Sequence, residues 1–102
     1  MRAAKVDRNQ AEIVSALRGV GATVEPLHRV GGGCPDLMVG FRGGNFLLEV
    51  KDWKASNTDR KLRPNQAEWH DGWKGQSAVV ETVDAALLAI GAISLPLRGV
   101  VK

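Results

Sequence analysis

The chain has 102 residues, of which 44% are hydrophobic and 25% charged, with a formal net charge of +3 and a pI near 9.4. That leaves room for one domain, 1–102, with a modest core, and the apolar content excludes disorder over the whole length. The mild basicity agrees with a polyanionic partner but does not demand one. No apolar run of about eighteen residues occurs and the N-terminus lacks a signal-peptide h-region, so no membrane span is expected and a cytoplasmic location is. A single cysteine, Cys34, excludes an internal disulfide. Cys34 with the distant His28 and His70 lacks structural zinc spacing.

In chain order, Met1 to Val6 is a lead-in whose Arg2 and Lys5 are solvated. Asp7 followed by Gln10 has the spacing of a helix N-cap box. The helix is expected over Arg8 to Arg18, with Ala11, Ile13, Val14 and Leu17 as its apolar stripe and Gly19 or Gly21 as its end. Glu12 lies in this helix and, on the residues alone, is a solvent-facing helix former. Ala22 to Leu27 reads as a short strand, and Pro26 suggests an edge position. Gly31, Gly32 and Gly33 follow. They either let the backbone approach something closely or act as a flexible link. Because they precede a strand rather than open a helix, no nucleotide cofactor is expected.

Two apolar runs come next, Leu37-Met38-Val39-Gly40-Phe41 and Phe46-Leu47-Leu48-Glu49-Val50, separated by Arg42, Gly43, Gly44 and Asn45. Gly43-Gly44 suits a two-residue hairpin turn. That register pairs Phe41 with Phe46, Met38 with Glu49 and Asp36 with Lys51. Alternation then puts Leu37, Val39, Phe41, Phe46, Leu48 and Val50 on a core face. The other face carries Asp36, Met38, Gly40, Leu47, Glu49 and Lys51, so two carboxylates and an ammonium converge at one end of the ribbon. Clustered carboxylates repel unless a cation lies between them, and such oxygen ligands suit Mg²⁺ or Mn²⁺. The Val50 carbonyl is a further candidate ligand. Lys51 is placed to orient or deprotonate a water, or to stabilise charge on a phosphoryl group. The plainer reading of the same residues is a surface salt-bridge cluster.

Asp52 to Arg63 reads as a polar loop with no regular period, containing Lys54, Arg60, Lys61 and Arg63. Pro64 opens a helix running to Lys74, in which Gln66, Trp69, His70 and Trp73 share one face. The two tryptophans are expected to pack on the sheet, and His70 to be a hydrogen-bonded histidine at the core edge. Gly75 ends the helix. A strand follows around Ala78, Val79 and Val80, within Gln76 to Glu81. Thr82 then caps a last helix, Val83 to Ile90, which Gly91 closes. Ala92 to Lys102 is an apolar tail that fits an extra strand, a subunit contact or a loose end. The order α-β-β-β-α-β-α predicts an α/β domain with a mixed four-stranded sheet flanked by helices.

Pro35-Asp36 and Glu49-Val50-Lys51 resemble the two halves of the PD-(D/E)XK nuclease signature. The glycine-rich approach to Pro35 and the later Gln66 make the chain similar to the VRR-NUC branch, in particular to its small stand-alone phage and bacterial members. The resemblance runs from about Asp7 to Ile90 and implies a restriction-endonuclease-like core. It implies a Mg²⁺- or Mn²⁺-dependent deoxyribonuclease in a bacterial or phage-infected cell. Asp36, Glu49 and the Val50 carbonyl would hold the metal, with Lys51 acting on the water. It gives Gln66 contact with the water, Lys51 or the phosphate, and makes Glu12 the nearest match to an acidic residue of the first helix that faces the metal. Gly32 and Gly33 would lie against the phosphodiester, and Lys54, Arg60, Lys61 and Arg63 either follow the DNA backbone or are solvated. Small size favours branched-DNA selectivity over long-site readout, and the phage relatives imply a homodimer acting on four-way junctions. The alternatives are a DNA-binding module without turnover, a nuclease subunit that needs a partner, and a subunit-contact domain.

Overall fold

The computed structural model describes residues 8–94. The expected Asp7 cap, the lead-in 1–6 and the tail from 95 onward lie outside the described residues. Helix α1 (Arg8–Gly19) comes first, then strands β1 (Thr23–Pro26), β2 (Leu37–Phe41) and β3 (Gly44–Val50). Helices α2 (Asn57–Arg60) and α3 (Pro64–Gly72) lead to β4 (Ser77–Val80) and α4 (Val83–Ala89). The sheet order is β1-β2-β3-β4, antiparallel up to β3 and parallel between β3 and β4. The mixed four-stranded sheet expected from the sequence is thus present, with β1 at an edge as Pro26 suggested.

Ile13 and Leu17, one helical turn apart on α1, are fully buried, and Ala86 and Ile90 repeat that spacing at α4. Both helices cover the sheet face formed by Val24, Leu37, Val39, Leu48, Val50 and Val80. Each helix ends on a glycine in the left-handed region. Gly21 (φ 94°) donates to Arg18 O while Ala22 donates to Leu17 O, and Gly91 (φ 83°) and Ala92 repeat the pattern on Leu88 O and Leu87 O. This pair of bonds satisfies carbonyls that a helix end leaves orphaned, at a conformation only glycine adopts without strain.

The hairpin turns one residue earlier than the glycine pair suggests. Arg42 (φ 49°) and Gly43 (φ 82°) form the two-residue loop, and Phe41 pairs with Gly44. Two successive positive φ values are the mark of a type I′ turn, whose twist matches that of the strands. Arg42 holds an uncommon conformation costing roughly 1–2 kcal/mol, offset in part by its guanidinium lying 4.8 Å over the Phe41 ring. Met38 therefore faces Leu47 instead of Glu49, and Leu37 faces Leu48. The same register carried one residue further sets Asp36 across from Glu49, where Lys51 had been expected. A displacement by two residues leaves every side chain on its expected face.

One further expectation is corrected, and another, that the tryptophans pack on the sheet, holds for its polar side only. The segment after Lys51 is not loop throughout: Ser56 Oγ accepts from Asp59 N at 3.2 Å and caps α2. Ser-x-x-Asp is the capping spacing that gives this short helix its start. The tryptophans of α3 do not pack into the core. No α3 residue is buried and Trp73 is 45% exposed, because α3 lies over the polar side of the sheet, where Glu49 replaces an apolar residue. Among the described residues, no helix is long and apolar enough to cross a membrane.

Gly33 explains one of the loop glycines. At φ 84°, it lies so close to α3 that an added Cβ would run into the Asn65 backbone carbonyl, whereas nothing lies near the same position on Gly32. Gly33→Ala is expected to cost about 2–5 kcal/mol from backbone strain plus overpacking, against about 1–2 kcal/mol for strain alone in Gly32→Ala. Urea denaturation of the two variants measures the difference.

Candidate active site

The open sheet face, the start of α3 and the α2 segment enclose a cavity of about 760 Å³. Asp36, Glu49, Val50, Lys51 and Gln66 all line it, together with Lys61 and Arg63. Asp36 is placed where β2 begins. Its backbone carbonyl accepts from Leu27 N at 2.7 Å, and its Oδ2 accepts from Val50 N at 2.7 Å. The carboxylate is thereby fixed against the end of β3.

Glu49 is 2% exposed and Lys51 8% exposed, so the pair is withdrawn from solvent. Gln66 lies between them. Its Oε1 accepts from Lys51 Nζ at 3.0 Å, and its Nε2 donates to Glu49 Oε2 at 3.0 Å. Lys51 Nζ stands 3.8 Å from the same Glu49 oxygen. Gln66 Oε1 also accepts from Arg63 N at 2.9 Å, the bond of a capping box at the start of α3. One amide therefore starts the helix and ties Lys51 to Glu49, which fixes its flip state through the hydrogen bonds on both ends.

With this geometry in view, the comparison with known proteins is informative. No family model matches the chain, and no curated protein matches it. A solved structure described as a VRR_NUC domain superposes with a TM-score of 0.64 at 27% identity, over 81% of this chain and 90% of that one. This chain has a VRR-NUC fold.

Within the VRR-NUC fold the electrostatics of Glu49 stand out. Burial pushes its pKa up to about 7, and the neighbouring Asp36 carboxylate adds to that, by its charge and by the proton the two groups can share once one is protonated. Lys51 and, more weakly, Arg63 pull the other way. With both carboxyls ionised, the second oxygen of Glu49, Oε1, is buried and receives no hydrogen bond. A buried, unpartnered carboxylate oxygen beside a second carboxylate costs free energy that a cation would recover. Asp36, Glu49 and the Val50 carbonyl fit a hard divalent ion that takes the rest of its shell from water and phosphate. Among the described residues no three His, Cys, Asp or Glu side chains form a ligand cluster, so the fit is to such a water-keeping ion rather than to zinc.

The other candidates separate. Glu12 is exposed on α1 and does not line the cavity; Gln10 does. Lys54 is exposed, 5.3 Å over the Trp53 ring and outside the cavity. Arg60 pairs with Glu81 at 2.8 Å, which joins α2 to the end of β4. Gly32 is exposed and Gly33 abuts α3, and neither lines the cavity. His70 Nδ1 lies 3.3 Å from Ser77 Oγ, and burial lowers its pKa. The Cys34 thiol is held up by burial and by the Glu49 and Asp36 charges, so it is not an activated nucleophile.

Sequence reasoning missed Asn9. Its Nδ2 donates to Lys51 O at 2.7 Å and to Glu81 O at 3.0 Å, and so holds the ends of β3 and β4 to α1. It also missed Gln10, Asp52 and Asp59 on the cavity wall. Polar residues near a helix start resemble ordinary caps, so periodicity gives no signal for them.

Mn²⁺ or Mg²⁺ at millimolar concentration is expected to raise the Tm of the chain by several degrees, because ligand that binds only the folded state stabilises it by mass action. Asp36→Asn and Glu49→Gln should each remove the shift. Differential scanning calorimetry with metal and with EDTA decides this without any activity readout.

Proposed function

We propose that the chain is a divalent-metal-dependent DNA endonuclease that hydrolyses phosphodiester bonds, with 1–102 acting as one nuclease domain. The observation that carries the reading is the convergence of Asp36, Glu49, Lys51 and Gln66 on one cavity, with Glu49 Oε1 left unpartnered. The likeness to a VRR_NUC domain supports it.

Asp36, Glu49 and the Val50 carbonyl would hold Mg²⁺ or Mn²⁺. When bound, the ion supplies a more acidic water and charge stabilisation for in-line phosphoryl transfer. The chain's own residues do the rest. Gln66 holds the Lys51 ammonium at 3.0 Å and keeps it directed at the cavity. From there Lys51 orients the attacking water and stabilises charge developing on the phosphate oxygens. Lys61 and Arg63, which line the same cavity, bind flanking phosphates.

Branched DNA is the proposed substrate class, and a homodimer with two sites the proposed active form. A chain this small has little surface for reading a long sequence, and the resemblance to small phage and bacterial members supports paired cutting.

The test is cleavage of labelled four-way junction, flap, duplex and single-stranded DNA with Mg²⁺, Mn²⁺ or EDTA. Products are expected only with metal, and most from branched substrates. Lys51→Ala should lower the rate by about 100-fold or more, the size of a lost proton-transfer or electrostatic group. Cutting in EDTA, or by Lys51→Ala at the wild-type rate, would overturn the mechanism. Band shifts without products would favour a binding module or a subunit that needs a partner.

A further inference from the structure

A second concavity, of about 870 Å³, adjoins the carboxylate site on the same sheet face. Its floor and wall are apolar: Met38, Leu47, Trp69 and Trp73, with the polar Asn45 and Gln76 also lining it. Met38 and Leu47 form a cross-strand pair, and the next pair on that face is Asp36 opposite Glu49. The two pairs are thus about 7 Å apart, two residues along a strand. Helix α3 covers both. Gln66 reaches the carboxylates, Trp69 follows one turn later, and Trp73 stacks on Trp69 with ring centroids 4.7 Å apart and planes 15° from parallel.

These groups are not filling the core. Met38 is 42% exposed and Trp73 45% exposed, while the buried cluster lies on the opposite sheet face. Trp69 and Trp73 cover one face of each other, and what stays exposed joins Met38 in a contiguous apolar patch of the kind that marks a binding site. The adjoining carboxylate cavity is lined by Lys61 and Arg63, so cationic side chains lie next to this apolar groove.

Resting on the nuclease reading, we propose that this groove is a nucleobase platform. An unpaired base next to the scissile phosphate stacks on the tryptophan pair, and Asn45 and Gln76 offer donors and acceptors to its edge. Three features favour a base over a second protein copy. The groove is continuous with the carboxylate site along the same two strands. Its aromatic wall lies next to a cavity lined by Lys61 and Arg63, and aromatic surface beside cations is the combination that single-stranded nucleic acid uses. A protein segment seated there would also close one end of the cavity. Branched DNA supplies unpaired or readily unstacked bases, so the platform gives this site a reason to prefer it.

The test is fluorescence anisotropy in EDTA with two labelled strands of equal length and charge, oligothymidylate and an abasic oligomer. The full chain should bind the thymidine strand about tenfold more tightly, within the range of base–aromatic stacking. Trp73→Ala should erase that preference, Trp73→Phe should keep most of it, and Trp53→Ala, outside the groove, should leave it unchanged. Equal binding of both strands by the wild-type chain overturns the proposal, as does a preference that survives Trp73→Ala or disappears in Trp53→Ala. No affinity for either strand also overturns it. A dimer dissolved by Trp73→Ala, with equal binding of both strands, would assign the groove to a second copy. The nuclease reading stands apart: base preference without metal-dependent cutting removes that reading and keeps the platform, and cutting without base preference does the reverse.

Discussion

The site depends on the burial of a carboxylate. Glu49 sits in the middle of a sheet, where packing alone would favour an apolar side chain, and it is almost completely shielded from water. A charge so placed needs partners, and the chain provides part of a set. Gln66 donates to one oxygen, Lys51 stands near the same oxygen, and in the ionised pair the other oxygen receives no hydrogen bond. The raised pKa expresses the shortfall. An arrangement selected only for stability would complete the network or replace it with apolar packing. This one leaves the open oxygen beside a second carboxylate, and that incompleteness points to a cation more strongly than the presence of acidic residues does.

The fold can carry this cost because its two sheet faces are used unequally. Ile13, Leu17, Ala86 and Ile90 seal one face, and nearly all fully buried apolar residues lie there. The other face holds Asp36, Met38, Leu47, Glu49 and the thin cover of α3. Desolvation of charge is therefore confined to a layer that contributes little to the core. The parallel crossover from β3 to β4 passes over this face and brings α2 and α3 with it, which is how Lys61, Arg63 and Gln66 reach a site whose carboxylates come from the hairpin. Asn9 closes the arrangement from the far side, since its two hydrogen bonds to backbone carbonyls hold α1 against the strand ends that present Lys51.

Much of this was legible in the sequence because a strand's side-chain period is two. The faces of β2 and β3 could be sorted without knowing the turn, and the actual turn displaced the register by an even number, so Asp36, Glu49 and Lys51 still converged. The turn itself was not legible. Gly43-Gly44 is the locally favoured loop, and the choice of Arg42-Gly43 depends on strand pairing, which is not local. The same reasoning accounts for α3. Spacing put Gln66, Trp69, His70 and Trp73 on one face correctly, but spacing cannot say whether that face meets core or solvent. Helix α2 was missed although Ser56 and Asp59 carry its cap, because four residues give no periodicity to read. The choice between Gln10 and Glu12 turns on the rotation of α1 about its axis. Ile13 and Leu17 set that rotation, and it leaves Glu12 outside.

The position of the tryptophan pair sharpens what the open face is for. Helix α3 has little amphipathic character, and its largest side chains stack on each other instead of anchoring it. What holds the start of the helix is the capping role of Gln66 and the close approach of Gly33 to Asn65. Along the face of the helix, Gln66 bonds Glu49 and Lys51 and His70 contacts Ser77, and the rest of that face is open. It presents a glutamine to the carboxylates and two aromatic rings to the neighbouring groove, from positions separated by a single turn. The polar and the apolar halves of the open face thus share one ribbon and one helix. A ligand with a phosphate at one end and a flat apolar ring at the other matches that layout better than either a simple anion or a purely apolar partner.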